Sequence, residues 1–151
     1  MEAENTPKMV YRFLGNTGLR VSILSFGTWL TAHDAKAEAD VIACIKAAFE
    51  HGVNFFDTAE IYGNGVAETL LGKGLKQLPC KRKDYVVASK YIRCGEGEND
   101  KMLGAKHLFE AVDATLERMG LTYLDVIFAH RPDFDTPLEE TCRAFDQLIR
   151  D

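Results

Sequence analysis

Apolar positions along this chain of 151 residues follow two different periods. Short, nearly continuous apolar runs are separated by longer stretches in which apolar residues recur every three or four positions. The first pattern is typical of buried β-strands and the second of amphipathic helices. After an opening pair of short strands, the two patterns alternate four times. This order predicts an α/β protein built from right-handed β-α-β units around a parallel sheet.

The predicted elements begin with a hairpin, whose strands at 9–14 and 19–22 flank the turn Gly15-Asn16-Thr17-Gly18. Gly52, Pro79 and Gly120 are predicted to end the first three helices. Residues 1–8 are expected to form a flexible tail, residues 93–102 a mobile loop, and residues 9–151 a single domain. The remaining predicted elements are strands at 23–28, 53–57, 85–90 and 123–129, with helices at 35–50, 66–78, 105–119 and from 137 onward.

Candidate chemistry lies where the predicted strands end. Asp57, Lys90 and His130 each follow an apolar run directly, and Tyr62 lies in the loop after the second predicted strand. Because parallel strands bring their carboxyl ends to one face, we expect the four side chains to lie together. Taken singly, each has an ordinary alternative: a turn cap, a solvated charge, a packing anchor or a loop hydrogen bond. Their shared location favours a proton-transfer site.

Such a site can protonate a carbonyl oxygen. A free tyrosine has a pKa of about 10 and is a poor proton donor near neutral pH, but a neighbouring ammonium stabilises its phenolate. Lys90 could supply that charge, and Asp57 could hold the lysine charged and in place. His130 could donate a hydrogen bond to the carbonyl oxygen while Tyr62 delivers the proton. These residues bring no reductant, so hydride must come from a cofactor, normally a nicotinamide.

In these residues the chain resembles the aldo-keto reductase family, over nearly its whole length from about Tyr11. Within the family, the segments Phe-Ala-His-Arg-Pro-Asp and Thr-Pro-Leu-Glu-Glu-Thr most resemble the cytoplasmic beta subunits of voltage-gated potassium channels and their bacterial and plant relatives. Some of those subunits have Asn where this chain has His130. The matching residues are Gly27-Thr28-Trp29, Phe55-Phe56-Asp57-Thr58-Ala59, Tyr62-Gly63, Glu68, Leu71-Gly72, Ser89-Lys90 and His130-Arg131-Pro132.

The resemblance implies a (β/α)8 TIM barrel with the hairpin closing its bottom, and NADPH-dependent reduction of aldehydes or ketones to alcohols. Tyr62 would be the proton donor, Asp57 and Lys90 would tune it, and His130 would orient the carbonyl.

By the same resemblance, Thr28, Trp29 and Asp57 would lie against the nicotinamide-ribose end of the cofactor. An alternative is a non-catalytic cytoplasmic subunit that regulates a voltage-gated potassium channel.

Length is where the chain departs from this pattern, since a β/α barrel typically needs about 250 residues. We expect the chain to be the N-terminal half of such a barrel, without strands five to eight. In the family, that other half supplies the ring that stacks on nicotinamide and the loops that hold the cofactor phosphates. Three interpretations follow: a truncated reductase, which we favour; a half-barrel that pairs with its own copy or another chain; or a binding remnant without turnover.

Composition limits which kinds of partner and which cellular compartment are expected. The net charge of −5 argues against general binding to nucleic acid, and no apolar run approaches the length of a membrane span. The four cysteines form no CxxC pair, which favours a reducing cytoplasm over a disulfide framework. No His or Cys pair has metal-ligand spacing, so no metal is expected. The expected partners are a carbonyl substrate and either a second copy of the chain or a channel.

Overall fold

The computed structural model describes residues 8–30, 32 and 34–150. Residues 1–7, most of the predicted tail, lie outside the described residues. Within the described part, the chain forms a two-stranded sheet, a four-stranded sheet and four α-helices, in the predicted order. The strands are β1 (Tyr11–Phe13), β2 (Arg20–Ser22), β3 (Phe26–Gly27), β4 (Phe55–Asp57), β5 (Val86–Tyr91) and β6 (Val126–Ala129). The helices are α1 (Glu38–Glu50), α2 (Val66–Lys76), α3 (Ala105–Met119) and α4 (Leu138–Arg150).

The hairpin lies against the start of the larger sheet. β1 and β2 pair antiparallel, with Tyr11 opposite Ser22. The backbone N–H of Ser22 donates to Asn54 Oδ1 at 2.7 Å, and the Asn54 N–H donates back to Ser22 Oγ at 3.1 Å. Tyr11 Oη also donates to the carbonyl of Gly52. Since Asn54 directly precedes β4, these bonds hold the hairpin at the amino ends of the parallel strands.

The larger sheet has the order β3-β4-β5-β6, and all its strands run parallel. Asp57 pairs with Gly27 on one side and with Ala88 on the other, and Lys90 pairs with Phe128. Neighbouring strands therefore end at one edge of the sheet, as the predicted β-α-β units require. The predicted α/β class, with a parallel sheet and alternating β-α units, is confirmed, and it is consistent with part of a TIM barrel.

The helices pack in chain order against one face of this sheet, so that α2 contacts both α1 and α3, and α3 contacts α4. Gly72 permits the close approach of α2 to α3, because a Cβ at this position would lie 2.6 Å from Met119 Cα. Gly120 ends α3 in the left-handed conformation at φ +64°, as predicted. The fully buried apolar side chains of this layer include Ile45, Phe56, Leu70, Leu71 and Val87.

The largest differences from the sequence-based prediction lie in two segments. The first strand of the parallel sheet is only two residues long, because the N–H of Ile23 bonds to the carbonyl of Val10 and so continues the hairpin. Ser22 Oγ donates to the carbonyl of Leu24, which turns the chain before β3. In the segment 93–102, Arg93 and Lys101 form an antiparallel bridge, so this loop has local backbone pairing that its composition did not indicate.

The other face of the sheet carries exposed apolar side chains. Phe128 is 40% exposed, and Ile23 and Leu24, which precede β3, are 51% and 62% exposed. β3 and β6 are the two outer strands of the sheet. Among the described residues, every helix is too short or too polar to cross a lipid bilayer.

Candidate active site

Three of the four residues predicted to form the site meet at the carboxyl edge of the parallel sheet. Lys90 lies near the end of β5, and its ammonium donates to Asp57 Oδ2 at 2.5 Å and to the carbonyl of Thr58 at 2.8 Å. It also lies 3.3 Å from Tyr62 Oη. The Asp57 and Lys90 side chains are only 27% and 18% exposed. A half-buried ammonium therefore connects a carboxylate to a phenol.

His130 completes the group from the neighbouring strand. It directly follows β6, and its backbone N–H donates to the carbonyl of Tyr91 at 2.9 Å. Its ring lies edge-on to the Tyr62 ring, with the centroids 5.6 Å apart and the planes at 77°. The structure thus brings all four predicted residues together on one edge.

Burial lowers the pKa of His130, and the positive charges of Lys90 and Arg131 lower it further. The imidazole is therefore neutral at neutral pH. Its Nδ1 is buried and has no hydrogen-bond partner among the described residues. A neutral imidazole carries one N–H and can donate a single hydrogen bond without adding charge to the site.

The loop that carries Tyr62 continues the parallel pairing beyond the end of β4. The N–H of Thr58 donates to the carbonyl of Ala88, and the N–H of Glu60 donates to that of Lys90. A short 3-10 turn then begins at Tyr62, in which Gly63 adopts a left-handed φ of +56°. This pairing holds the start of the loop against β5, directly beside the lysine.

The residues predicted to contact a cofactor fall in two environments. Trp29 is 60% exposed, and its ring centroid lies 6.5 Å from that of Tyr62. Thr28 is fully buried, and its hydroxyl donates to Thr58 Oγ1 at 2.9 Å. The Thr28 side chain therefore secures the chain between β3 and β4, and its cofactor contact remains a prediction.

Two cavities border the cluster, and His130 lines both. The first has a volume of about 400 Å³ and opens beside the Tyr62 ring. The second, of about 390 Å³, lies on the face of the sheet that the helices do not cover. The first is lined by Trp29, Ile61, Tyr62, Gly63, Ile92, His130 and Arg131. The second is lined by Ser25, Phe55, Asp57, Lys90, Phe128, Ala129 and His130.

Two fully buried carboxylates behind the site were not predicted. Glu60 accepts hydrogen bonds from the N–H of Ile92 and from His107 Nε2. Glu68 accepts hydrogen bonds from the side chains of Ser89, Thr115 and Arg118. A signal for Glu68 was available, because it is among the residues that match the family and lies on one helical stripe with the apolar residues Leu71 and Leu75.

Comparison with known proteins agrees with this geometry. The model of the aldo/keto reductase family matches residues 23–151. The chain belongs to this family. It is 47% identical over 150 residues to a potassium channel beta subunit-like protein of Schizosaccharomyces pombe. Proteins of Arabidopsis thaliana and Oryza sativa, each named "Probable voltage-gated potassium channel subunit beta", are 44% identical over 144 and 141 residues.

The chain spans less than half the length of these relatives. The matches cover 93% to 96% of the chain but 43% of each relative. Aldo/keto reductases generally use a nicotinamide cofactor, and the residues of the site fit its reacting end. A phenol and a neutral imidazole can both donate to the oxygen of a carbonyl group whose carbon receives hydride, and the exposed indole of Trp29 offers a flat surface beside them.

Proposed function

We propose that the chain carries the carbonyl-reducing centre of an NADPH-dependent reductase that converts aldehydes or ketones to alcohols. The observation that carries this proposal is the position of the Lys90 ammonium, within hydrogen-bond distance of both Asp57 and Tyr62. A lysine with no role beyond a solvated surface charge would extend into solvent and would not contact a phenol. Membership of the aldo/keto reductase family supports oxidoreductase chemistry at this centre.

In this proposal the substrate carbonyl enters the cavity of about 400 Å³ and accepts hydrogen bonds from Tyr62 and His130. Tyr62 transfers its proton to the carbonyl oxygen, and the Lys90 ammonium stabilises the phenolate that remains. Asp57 keeps the ammonium oriented through their 2.5 Å ion pair. Because His130 is neutral, it polarises the carbonyl without competing as a proton source.

A reduced nicotinamide, when bound, supplies the hydride that the carbonyl carbon accepts. Trp29 and Asp57 would hold its nicotinamide-ribose end, since Trp29 lines the first cavity and Asp57 lines the second, on either side of the cluster. The choice of NADPH over NADH follows the family resemblance. The proposal includes a cytoplasmic location, supported by four cysteines that are all unpaired.

A hybrid protein tests this function, because the chain matches only 43% of the length of the Schizosaccharomyces pombe relative. Residues 1–151 would replace the matching segment of the Schizosaccharomyces pombe relative, and NADPH oxidation would be followed with 4-nitrobenzaldehyde. We expect turnover that Tyr62→Phe lowers by at least about a hundredfold, because the phenol is the proton donor. Tyr11→Phe, which alters a phenol in the hairpin, is the matched control. Equal turnover in the Tyr62 and Tyr11 variants would remove Tyr62 from this role.

A second candidate function is supported by the names of the relatives. Three of them, from two plants and a fission yeast, are named as voltage-gated potassium channel beta subunits. The chain would then be part of a non-catalytic subunit that binds the cytoplasmic part of a channel and regulates it. The exposed side chains Phe134 and Leu138, on the segment after the site, offer an apolar contact for such a partner.

Binding to a channel's cytoplasmic domain separates the two functions. A regulatory subunit would form a stable complex that survives Tyr62→Phe and is weakened by Phe134→Ser. A reductase without this role would give the reverse pattern, with turnover lost in the first variant and retained in the second. Co-purification and NADPH oxidation measured on the same hybrid protein distinguish these outcomes.

A further inference from the structure

Glu60 lies two residues before Tyr62, on the helix-covered side of the loop. Its backbone N–H donates to the carbonyl of Lys90 at 3.2 Å, so the main chain at this point pairs with the catalytic strand β5. Tyr62 in turn donates its own N–H to the carbonyl of Ala59 at 3.1 Å. The path of the backbone from Glu60 therefore determines where the phenol lies.

The Glu60 side chain secures the same loop a second time. Its Oε1 accepts the backbone N–H of Ile92 at 2.6 Å, just beyond the end of β5. The same oxygen lies 3.1 Å from His107 Nε2, near the start of α3. The Glu60 and His107 side chains are 0% and 6% exposed. One buried carboxylate thus joins the Tyr62 loop, the end of β5 and helix α3.

A comparison with Glu68 indicates that stability alone does not explain Glu60. Both oxygens of Glu68 have partners, from Ser89, Thr115 and Arg118. In Glu60, by contrast, Oε2 is buried and has no partner among the described residues. A buried polar atom without a partner typically costs about 1–3 kcal/mol. Such a cost is characteristic of residues that are retained for position or chemistry.

We propose that Glu60 and His107 are positioning residues that hold the Tyr62 phenol against Lys90 and His130. They touch neither substrate nor cofactor and act through the loop. The kinetic consequence rests on the proposed reductase function, whereas the effect on the position of Tyr62 does not. Because a displacement of about 1 Å can lower a rate by about a hundredfold, a loose loop would impair turnover more than binding.

Nuclear magnetic resonance of the 151-residue chain tests the geometry. The variants are Glu60→Ala and His107→Leu, which remove the contact, and Glu60→Gln, whose amide oxygen can still accept the hydrogen bonds from Ile92 and His107. Thr115→Val is the matched control, because it removes a buried hydrogen bond to Glu68 from the same helix as His107. The readout is the nuclear Overhauser effect between the Tyr62 and His130 rings, whose centroids are 5.6 Å apart.

We expect Glu60→Ala and His107→Leu to lose this ring–ring effect, while Glu60→Gln and Thr115→Val retain it. In the hybrid protein, the first two variants should lower kcat about a hundredfold with KM within about threefold, and Glu60→Gln should restore most of kcat. Retention of the ring–ring effect in a folded Glu60→Ala chain would overturn the inference. So would an equal loss in Thr115→Val, which would show a general effect of buried polar bonds.

The outcomes for the two proposals remain separate. If Tyr62→Phe abolishes turnover while Glu60→Ala does not change it, the reductase function stands and the positioning role fails. If the hybrid protein has no turnover in any form, the function fails, and the ring–ring effect still decides the positioning role.

Discussion

Successive side chains of β5 lie in two very different environments, one on each face of the sheet. Ser89 and Tyr91 face the helices and are fully buried, and Ser89 donates to the buried carboxylate of Glu68. Lys90, between them, points to the opposite face, where it meets Asp57 and Tyr62 at the border of an open cavity. The same strand thus contributes a packed, hydrogen-bonded layer on one side and a charged site that borders a cavity on the other.

This difference shows that one face of the strand provides stable packing while the other face provides the reactive side chains. Helices α2 and α3 hold one face of the strand through tight apolar packing and the hydrogen bonds that satisfy both oxygens of Glu68. The opposite face can then hold an ammonium, a phenol and an imidazole within reach of a ligand. Apart from Glu60 and His107, which position the Tyr62 loop, we expect changes on the helix-covered face to affect stability first and changes on the open face to affect chemistry first.

The largest difference should come from two phenylalanines on opposite faces. Phe56 is fully buried against the helices, whereas Phe128 is 40% exposed on the open face. Phe56→Ala should lower the free energy of unfolding by about 4 kcal/mol, and Phe128→Ala by less than about 2 kcal/mol. Urea denaturation of the two variants measures both. Equal losses would mean that the open face is as well packed as the covered one.

A smaller loss is expected from crowding the helix-covered face. In Gly72→Ala the new methyl would clash with the backbone of Met119, which lies 2.6 Å away at its Cα, so α2 and α3 must separate. We expect a loss of about 3 kcal/mol in the free energy of unfolding. Gly18→Ala, where nothing lies within 4 Å of the new Cβ, is the control. A Gly72→Ala chain with an unchanged denaturation midpoint would contradict the close approach of these helices.

Neighbouring residues of β5 should separate stability from chemistry. Ser89→Ala removes one donor from the buried carboxylate of Glu68, and should lower the free energy of unfolding by about 1–2 kcal/mol. Lys90→Met breaks a largely buried ion pair and leaves the Asp57 carboxylate without its partner, so it should lower the free energy of unfolding by a similar amount. Of the two, only the Lys90 variant should abolish NADPH oxidation in the hybrid protein. Loss of turnover in the Ser89 variant alone would reverse the roles of the two faces.

The smallest effect concerns the protonation of His130 on the open face. Burial, Lys90 and Arg131 lower its pKa below the ordinary value near 6.5, in that order. The unfolded chain therefore binds a proton more readily than the folded chain, so protonation favours unfolding. Stability should fall as pH drops below about 6.5, towards the lower pKa of the folded state.

Arg131→Met removes one positive charge and should raise the pKa of His130 towards the ordinary value. Titration of the His130 ring resonances by nuclear magnetic resonance measures this shift. Lys101→Met, in the loop after β5, is the control. A pKa that stays unchanged, or falls, in the Arg131 variant would exclude the electrostatic effect of that guanidinium.

Much of the fold could be predicted because it depends on local patterns. The apolar spacing of residues 105–119 and the stop at Gly120 predicted the bounds of α3 as the structure has them. Apolar runs that end in Asp57, Lys90 and His130 predicted the strands and their shared edge, since parallel strands have one direction. The end of α2 was predicted two residues late, because the N–H groups of Gln77 and Leu78 bond to carbonyls three residues back.

Other features depend on partners distant in sequence. The burial of Thr28 and the length of β3 depend on bonds to residues about 30 positions away and to the hairpin. No local period indicates that Glu60 meets a histidine 47 residues later.

Periodicity along the chain was enough to establish the order of strands and helices and the residue types at each strand end, because side-chain direction repeats within each element. Distances between the groups at those ends arise only when the strands pair in register and the helices pack behind them. That packing decides that the Lys90 ammonium lies between a carboxylate and a phenol, and that Glu60 turns away from the open face to meet α3. Contacts between remote segments depend on shape and hydrogen-bond geometry in three dimensions, which no local pattern of residues records.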